Sequence, residues 1–150
     1  MSNIAYTAIG NIANLRNHLY AWAGRKGMDP EPITNAVRQS MALQILIDLA
    51  NNERHGYPPQ PGRSQSGRNP RLAEVNRVLR ISSGSEPNSG AFVTFSPTPK
   101  ATVVGTGSAS VVITGTIVDG VGNVIVQLDA VLVEGTKAWE DLLPMIGLIP

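Results

Sequence analysis

The spacing of apolar residues changes once along this 150-residue chain, and that change constrains the fold more than any other feature. From residue 4 to residue 55 apolar side chains recur every three or four positions, which is the period of an amphipathic helix. Beyond residue 82, short runs rich in Val, Ile, Thr and Phe alternate with clusters of Gly, Ser, Pro and Asn, which is typical of strands. The sequence therefore predicts an α+β protein.

Two helices joined by a short loop are predicted for residues 1–56. The first is expected to end at Gly24 and Gly27, and Asp29-Pro30-Glu31 supplies the cap, proline and acid that favour the start of a second. The second should stop near His55-Gly56. The predicted buried stripes are Ile4, Ala8, Ile12, Leu15, Leu19 and Trp22 in the first helix, and Ile33, Val37, Met41, Ile45, Leu46 and Leu49 in the second. These helices form an N-terminal helical hairpin whose apolar faces meet or pack on something else.

Residues 57–70 are dense in Pro, Gly, Ser and Arg and have almost no aliphatic side chain. This composition predicts an extended linker or arm that does not pack. After it, Asn69-Pro70 favours a short third helix over Leu72, Val75 and Leu79, while a strand through Val78 and Ile81 is nearly as well supported.

Four strands are the minimum prediction for the β part, and we assign residues 71–137 to one mainly antiparallel β domain. The predicted strands are Ala91–Phe95, Ala101–Val104, Ser110–Val118 and Val124–Val133. A turn rich in glycine joins the last two as a hairpin. Both faces of this hairpin are partly apolar, so we expect the second face to be covered as well, in a β-sandwich or β-barrel-like domain.

The last segment, residues 138–150, is strongly apolar for a chain terminus. Terminal residues are usually mobile and polar unless they are held in place. The segment is therefore predicted to dock into a groove, on this subunit or on a neighbour. Its candidate partner-binding residues are Trp139, Leu142, Leu143, Met145, Ile146, Leu148 and Ile149.

Charge is unevenly distributed although the whole chain carries a net charge of only +1. Residues 54–80 contain six arginines against Glu74 alone, whereas residues 81–150 contain two lysines against six acids. The two regions should attract each other within one chain or between neighbours. The candidate partner-binding arginines are Arg54, Arg63, Arg68 and Arg71. Contact with an acidic protein surface is preferred for them over contact with nucleic acid. Nucleic-acid-binding segments usually combine basic with aromatic residues, and here Tyr57 is the one aromatic residue nearby.

Known catalytic and metal-binding patterns are absent from the sequence. The chain has no cysteine, which excludes disulfides, thiolate metal sites and cysteine nucleophiles. His18 and His55 are explained better as surface or capping residues, and the serines around Ser83 lie in no nucleophile-elbow motif. Gly105-Thr106-Gly107 lacks the remainder of a phosphate-binding loop, and Asp119, Asn123 and Asp129 match no calcium loop. We therefore expect no enzyme activity, no cofactor and no metal.

The segment Val103-Val104-Gly-Thr-Gly-Ser-Ala-Ser-Val-Val-Ile-Thr-Gly-Thr-Ile-Val, together with a helical front and a Pro/Gly/Arg-rich arm, resembles the auxiliary virion proteins of tailed bacteriophages. Cement or decoration proteins, which clamp capsid subunits, are the nearest type. The resemblance rests on general make-up and no specific motif, so it transfers no functional residue. It implies a β-rich body, often trimeric, whose partners are copies of itself and the major capsid protein or another virion protein.

Two alternatives remain open at this stage. The chain could be a head-to-tail connector, neck or tail-completion subunit, or a small ligand-binding or enzymatic β domain whose site is assembled between chains from Asp119, Asp129 and His55. No signal peptide and no apolar run of roughly 18 residues is present, so a virion protein made in the host cytoplasm and not inserted in a membrane is expected.

Overall fold

The computed structural model describes residues 3–59, 62–82, 91–95, 101–105 and 108–148. The elements, in chain order, are α1 (Asn3–Lys26), α2 (Glu31–Gln39), α3 (Met41–His55), β1 (Arg71–Ser82), β2 (Ala91–Phe95), β3 (Ala101–Gly105), β4 (Ser108–Val118), β5 (Val124–Gln127) and α4 (Leu128–Met145). The predicted α+β class and the N-terminal helical region are confirmed. The chain divides into two compact units, one comprising Met1–Val75 with Gly115–Pro150 and the other Asn76–Thr114.

Helix α1 is longer than predicted and buries a different face. It continues through Gly24 and ends at Lys26, where Gly27 adopts the left-handed conformation (φ 64°) that terminates a helix. Its buried residues are Ala5, Ile9, Ala13, Leu19 and Ala23, whereas Ile4 is 50% exposed. Leu19 of the predicted stripe is buried as predicted, whereas its Ala8, Ile12, Leu15 and Trp22 are half-buried. Three of the five buried positions are alanines, whose small side chains permit close approach of the packed helices.

The second predicted helix is two helices, because the chain is extended at Ser40 (φ −109°, ψ 104°). The Ser40 hydroxyl caps α3 by accepting a hydrogen bond from the backbone N–H of Leu43 at 3.2 Å. The side chain of Gln44 donates to the carbonyls of Val37 (3.0 Å) and Arg38 (2.9 Å) at the end of α2. These bonds satisfy backbone groups that a continuous helix would have paired. Met41, which was predicted to be part of the buried stripe of the second helix, is 45% exposed.

Helix α3 is the centre of the first unit. It is buried on nearly all sides, through Ala42, Leu43, Ile45, Leu46, Ile47, Leu49 and Ala50. Helices α1, α2 and α4 all contact it. Ile33 and Val37 of α2 are buried as predicted.

Strands β1, β4 and β5 form a three-stranded antiparallel sheet in the order β1-β4-β5. The strand interpretation of residues 71–82 is therefore correct, and the alternative helix is wrong. Strands β4 and β5 form the predicted hairpin, with Thr116 opposite Gln127 and Ile117 opposite Val126. In the second unit, β2 and β3 pair antiparallel from Ala91 opposite Gly105 to Phe95 opposite Ala101. The described strands form these two sheets, and no sandwich or barrel is seen among them.

The predicted strand Val124–Val133 is wrong beyond residue 127, because α4 begins at Leu128. Leu128, Val131, Gly135, Trp139 and Leu142 are buried at helical spacing, so burial of this face against the helices outweighs the strand preference of a Val-rich run. The predicted domain boundary at residue 138 falls inside α4. Among the described residues, no helix has the length and apolarity needed to span a membrane.

Candidate interaction surfaces

A buried carboxylate on α3 holds the segment that follows this helix. Asp48 is 1% exposed. Its Oδ1 accepts the backbone N–H of Gln65 at 2.6 Å, and its Oδ2 accepts the hydroxyls of Ser64 (2.7 Å) and Ser66 (2.6 Å) and the Ser66 N–H (2.9 Å). Four donors from three consecutive residues therefore compensate the burial of this charge.

The arm predicted over residues 57–70 is consequently a held loop in its described part, not an extended linker. Beyond the contacts of Asp48, the side chain of Asn52 donates to the Pro70 carbonyl at 3.0 Å, and the Tyr57 hydroxyl lies 3.4 Å from the Asn69 carbonyl. The prediction considered only the composition of the loop. The available signal was Asp48 itself, a lone acid between Ile47 and Leu49 on an apolar helix, which requires buried donors.

Four candidate arginines lie on and after the last turn of α3, and we call them the arginine surface: Arg54, Arg63, Arg68 and Arg71. All four side chains are exposed. Arg54 donates to the side-chain oxygen of Asn14 at 3.1 Å. The ion pair found among the described residues is Arg38 with Glu31 at 3.3 Å, so none of the four arginines is paired with an acid there.

A polar cleft of about 400 Å³ separates the end of α3 from the loop. Asn51, Asn52, His55 and Arg63 line it together with Asp48, whose oxygens are already occupied by donors. Neither Asp119 nor Asp129 contributes to this cleft, so the structure does not bring them together with His55 within one chain. The described residues contain no group of three His, Cys, Asp or Glu arranged to hold a metal ion.

Asp119 shapes the turn between β4 and β5. Its Oδ1 accepts the N–H groups of Val121 (3.0 Å) and Asn123 (2.8 Å), and its Oδ2 accepts the Asn123 side-chain amide at 3.1 Å. These donors, the Asn123 N–H foremost, hold the pKa of Asp119 below its ordinary value. Turn formation therefore occupies the oxygens that a calcium ion would need.

Helix α4 has a buried side and an outer side with opposite properties. The candidate tail residues Trp139, Leu142 and Ile146 belong to the core of the first unit, and the Trp139 indole N–H donates to the Ile12 carbonyl at 2.9 Å. Leu143 and Leu148 are half-buried, and Ile149 lies outside the described residues. Residues 138–145 are thus the second half of α4, and only one side of this half is buried in the first unit.

The outer side of α4 combines exposed acids with exposed apolar side chains. Val133 is 68% and Met145 80% exposed. Beside Val133, a shallow groove contains Leu132 and Lys137. The exposed acids of this side, which we call the acidic face of α4, are Asp129, Glu134, Glu140 and Asp141. This face was not predicted, because residues 128–133 have the composition of a strand.

Comparison of the chain with protein-family models, curated proteins and solved structures found no match.

Proposed function

We propose that this protein is a non-enzymatic structural subunit of a virion that associates with copies of itself and stabilises a capsid shell, as cement or decoration proteins do. The support begins with the resemblance of its make-up to auxiliary virion proteins of tailed bacteriophages. Residues 103–105 and 108–118 of the Gly/Ser/Thr/Val segment that carries this resemblance lie in β3 and β4.

The observation that carries the proposal is the division of the chain into two compact units. The first closes a helical core of its own around α3. The second contains the antiparallel pair β2–β3 together with residues 76–82 of β1 and 108–114 of β4. A subunit with two compact units would offer a surface on each unit for contact with shell proteins, as a clamp requires. The sandwich or barrel expected from the sequence would then form between sheets of neighbouring copies.

Surface composition supports association. Charged residues make up only 15% of the chain, below the roughly 25% of an ordinary soluble domain. Exposed apolar side chains such as Val121, Val133 and Met145 lie on the first unit, where a protein partner would shield them from water. The proposed partner is the capsid shell, so the test uses shells directly.

The test is binding of the full chain to capsid shells that are assembled from the major capsid protein of the virus encoding this chain. We expect saturable cosedimentation and a raised melting temperature of the shell. A variant in which Asn-Gly replaces residues 76–114 separates the roles of the units. Glu74 and Gly115 lie side by side, since a Cβ on Gly115 would be 2.6 Å from the Glu74 carbonyl, so a two-residue turn can join Val75 to Gly115.

The outcomes divide clearly. Full-chain binding with loss in the shortened variant supports a two-surface clamp, provided that circular dichroism shows the helices of the first unit intact. Equal binding by both proteins would remove the second unit from the clamp. No binding by the full chain would contradict the capsid role.

A connector role is the second candidate, and the exposed arginine surface is the observation that favours it. Arginines without acid partners are suited to phosphates of packaged DNA, and such contacts weaken steeply with salt. Light scattering and duplex-DNA binding distinguish the two roles. A trimer without DNA affinity favours cement, whereas a large closed ring with salt-dependent DNA binding favours the connector.

A further inference from the structure

We infer that the arginine surface of one copy binds the acidic face of α4 on the next copy, which makes self-association head-to-tail. The inference deepens the proposed function and rests on its claim of self-association. It concerns only surfaces of the first unit.

Charge complementarity is the first argument. Residues 54–71 contain four arginines and no acid. On α4, four exposed acids are accompanied by Lys137 alone. Both charged surfaces belong to one chain, yet among the described residues no ion pair joins them. Within the described part of the chain the arginine surface and the acidic face of α4 are therefore both left without an ion-pair partner, and a second copy supplies what each surface lacks.

The apolar content of both surfaces is the second argument. Next to Arg68, a shallow depression is lined by Val121, which is 84% exposed, and Tyr57 is exposed nearby. The acidic face of α4 carries exposed Val133 and Met145. Protein interfaces combine such apolar contacts with a charged rim, whereas a surface made only for solubility does not need them.

Acids near the arginine surface do not cancel it. Asp119 shares the depression with Arg68, but its carboxylate is engaged by the N–H groups of its own turn. Glu53 and Glu74 flank the surface in sequence, and neither forms an ion pair among the described residues. The guanidinium groups remain available to a partner.

The two surfaces are different parts of the chain, so their contact is heterologous and repeats from copy to copy. Such a contact closes into a ring when the rotation between copies divides a full turn. A trimer, the state that the resemblance implies, is the smallest such ring. A two-fold dimer would not be built from a single contact of this kind.

The experiment reverses each charge set in the full chain and then both together. Arg63→Glu with Arg68→Glu makes the arginine surface acidic, and Glu140→Lys with Asp141→Lys makes the face of α4 basic. Neither side chain of the arginine pair makes a hydrogen bond among the described residues, and lysines near the end of α4 suit the helix dipole, so the fold should be retained. Either pair should weaken association about tenfold or more at low salt.

The chain that carries both reversals is the decisive variant, because its two surfaces are again complementary and should restore the parent mass in sedimentation velocity. Arg25→Glu with Lys26→Glu is the matched control for the arginine pair, since it lowers the net charge by the same amount at the exposed end of α1 and should leave association unchanged.

The failures can be told apart. A parent oligomer that is indifferent to both reversals, or one that the combined variant does not restore, overturns this contact and leaves the structural role standing. Loss of shell binding without loss of self-association would instead assign the arginines to the shell and also overturn it. A parent chain that is monomeric at all concentrations overturns self-association itself.

Discussion

Replacing Asp48 with Ala should release the loop after α3 while leaving the helical core folded. The carboxylate accepts four hydrogen bonds from residues 64–66, and it is 1% exposed. Each hydrogen bond is worth about 1 kcal/mol net, which gives about 4 kcal/mol, and removal of the cost of burying the charge offsets part of it. We expect the free energy of opening the loop to fall by about 3 kcal/mol.

Limited proteolysis measures this opening directly, since trypsin cleaves after Arg63 and Arg68 only when the loop detaches to fit its active site. At 1.4 kcal/mol per factor of ten, the loss of 3 kcal/mol should accelerate cleavage there roughly 100-fold. Asp48→Asn retains the shape but sets an NH2 group against one of the donors, so roughly tenfold is expected. Asp129→Ala, which removes an exposed acid, should change cleavage less than about threefold.

The cleavage rate at these two bonds, followed by mass spectrometry, should rise from the parent to Asp48→Asn and again to Asp48→Ala. Equal rates in the parent and the Asp48→Ala protein would show that the four hydrogen bonds do not hold the loop. Simultaneous cleavage after Arg16 in α1 and Arg54 in α3 would show instead that Asp48 supports the whole core.

Three further predictions concern stability in denaturant or acid. Gly115→Ala should destabilise the protein by about 2 kcal/mol, because its Cβ would lie 2.6 Å from the backbone oxygen of Glu74. Gly24→Ala has open space around it and should stabilise α1 by about 0.5–1 kcal/mol. A Gly115→Ala protein more stable than the Gly24→Ala protein would contradict this packing. Ser40→Ala should cost about 1 kcal/mol and Ser40→Gly only a few tenths, as measured by urea unfolding, because the cap of α3 is lost. Because the pKa of Asp119 is lowered in the folded state, the ionised carboxylate stabilises the fold above about pH 4, and this stabilisation is lost as pH falls through the folded pKa. In Asp119→Asn the free energy of unfolding should therefore fall less steeply below about pH 4 than in the parent. An unchanged dependence of stability on pH would exclude this contribution.

Sequence patterns predicted the elements whose local preferences and tertiary packing agree. The helical character of residues 4–55, without the break at Ser40, follows from spacing and turn residues, as do the strand Ala91–Phe95 and the hairpin turn before Val124. The failures occur where a contact distant in sequence decides. Residues 128–133 have strand composition, but Leu128 and Val131 are buried with the helices, and this burial outweighs the weak preference of β-branched residues for strands.

The sequence identified the residues that are candidates for partner binding, but not which of them lie together on the surface. The exposure of Arg63 and Arg68 follows from their position in a loop rich in Pro, Gly and Ser. The burial of Trp139 and Leu142 instead depends on how α4 approaches α1 and α3. That approach relies on Gly135, where a Cβ would lie 2.5 Å from Leu46. One glycine in a Val-rich run gives no sequence signal for a helix crossing, so neither the core role of Trp139 nor the acidic outer face was predictable.

The Asp48 contacts and the inferred contact between copies are physically connected. A flexible arm would lose conformational freedom on binding, and that cost of about 1 kcal/mol per ordered residue would subtract from affinity. Here the donors at residues 64–66 fix the backbone between Arg63 and Arg68, so part of the ordering occurs when the chain folds. Asp48 itself is buried and touches no partner in the proposed contact. Asp48→Asn should therefore weaken association between copies, mainly through a faster dissociation rate, although no residue of either surface has changed. Association that is unaffected by a loosened loop would mean that the arginines bind without preorganisation, or that they lie outside the contact.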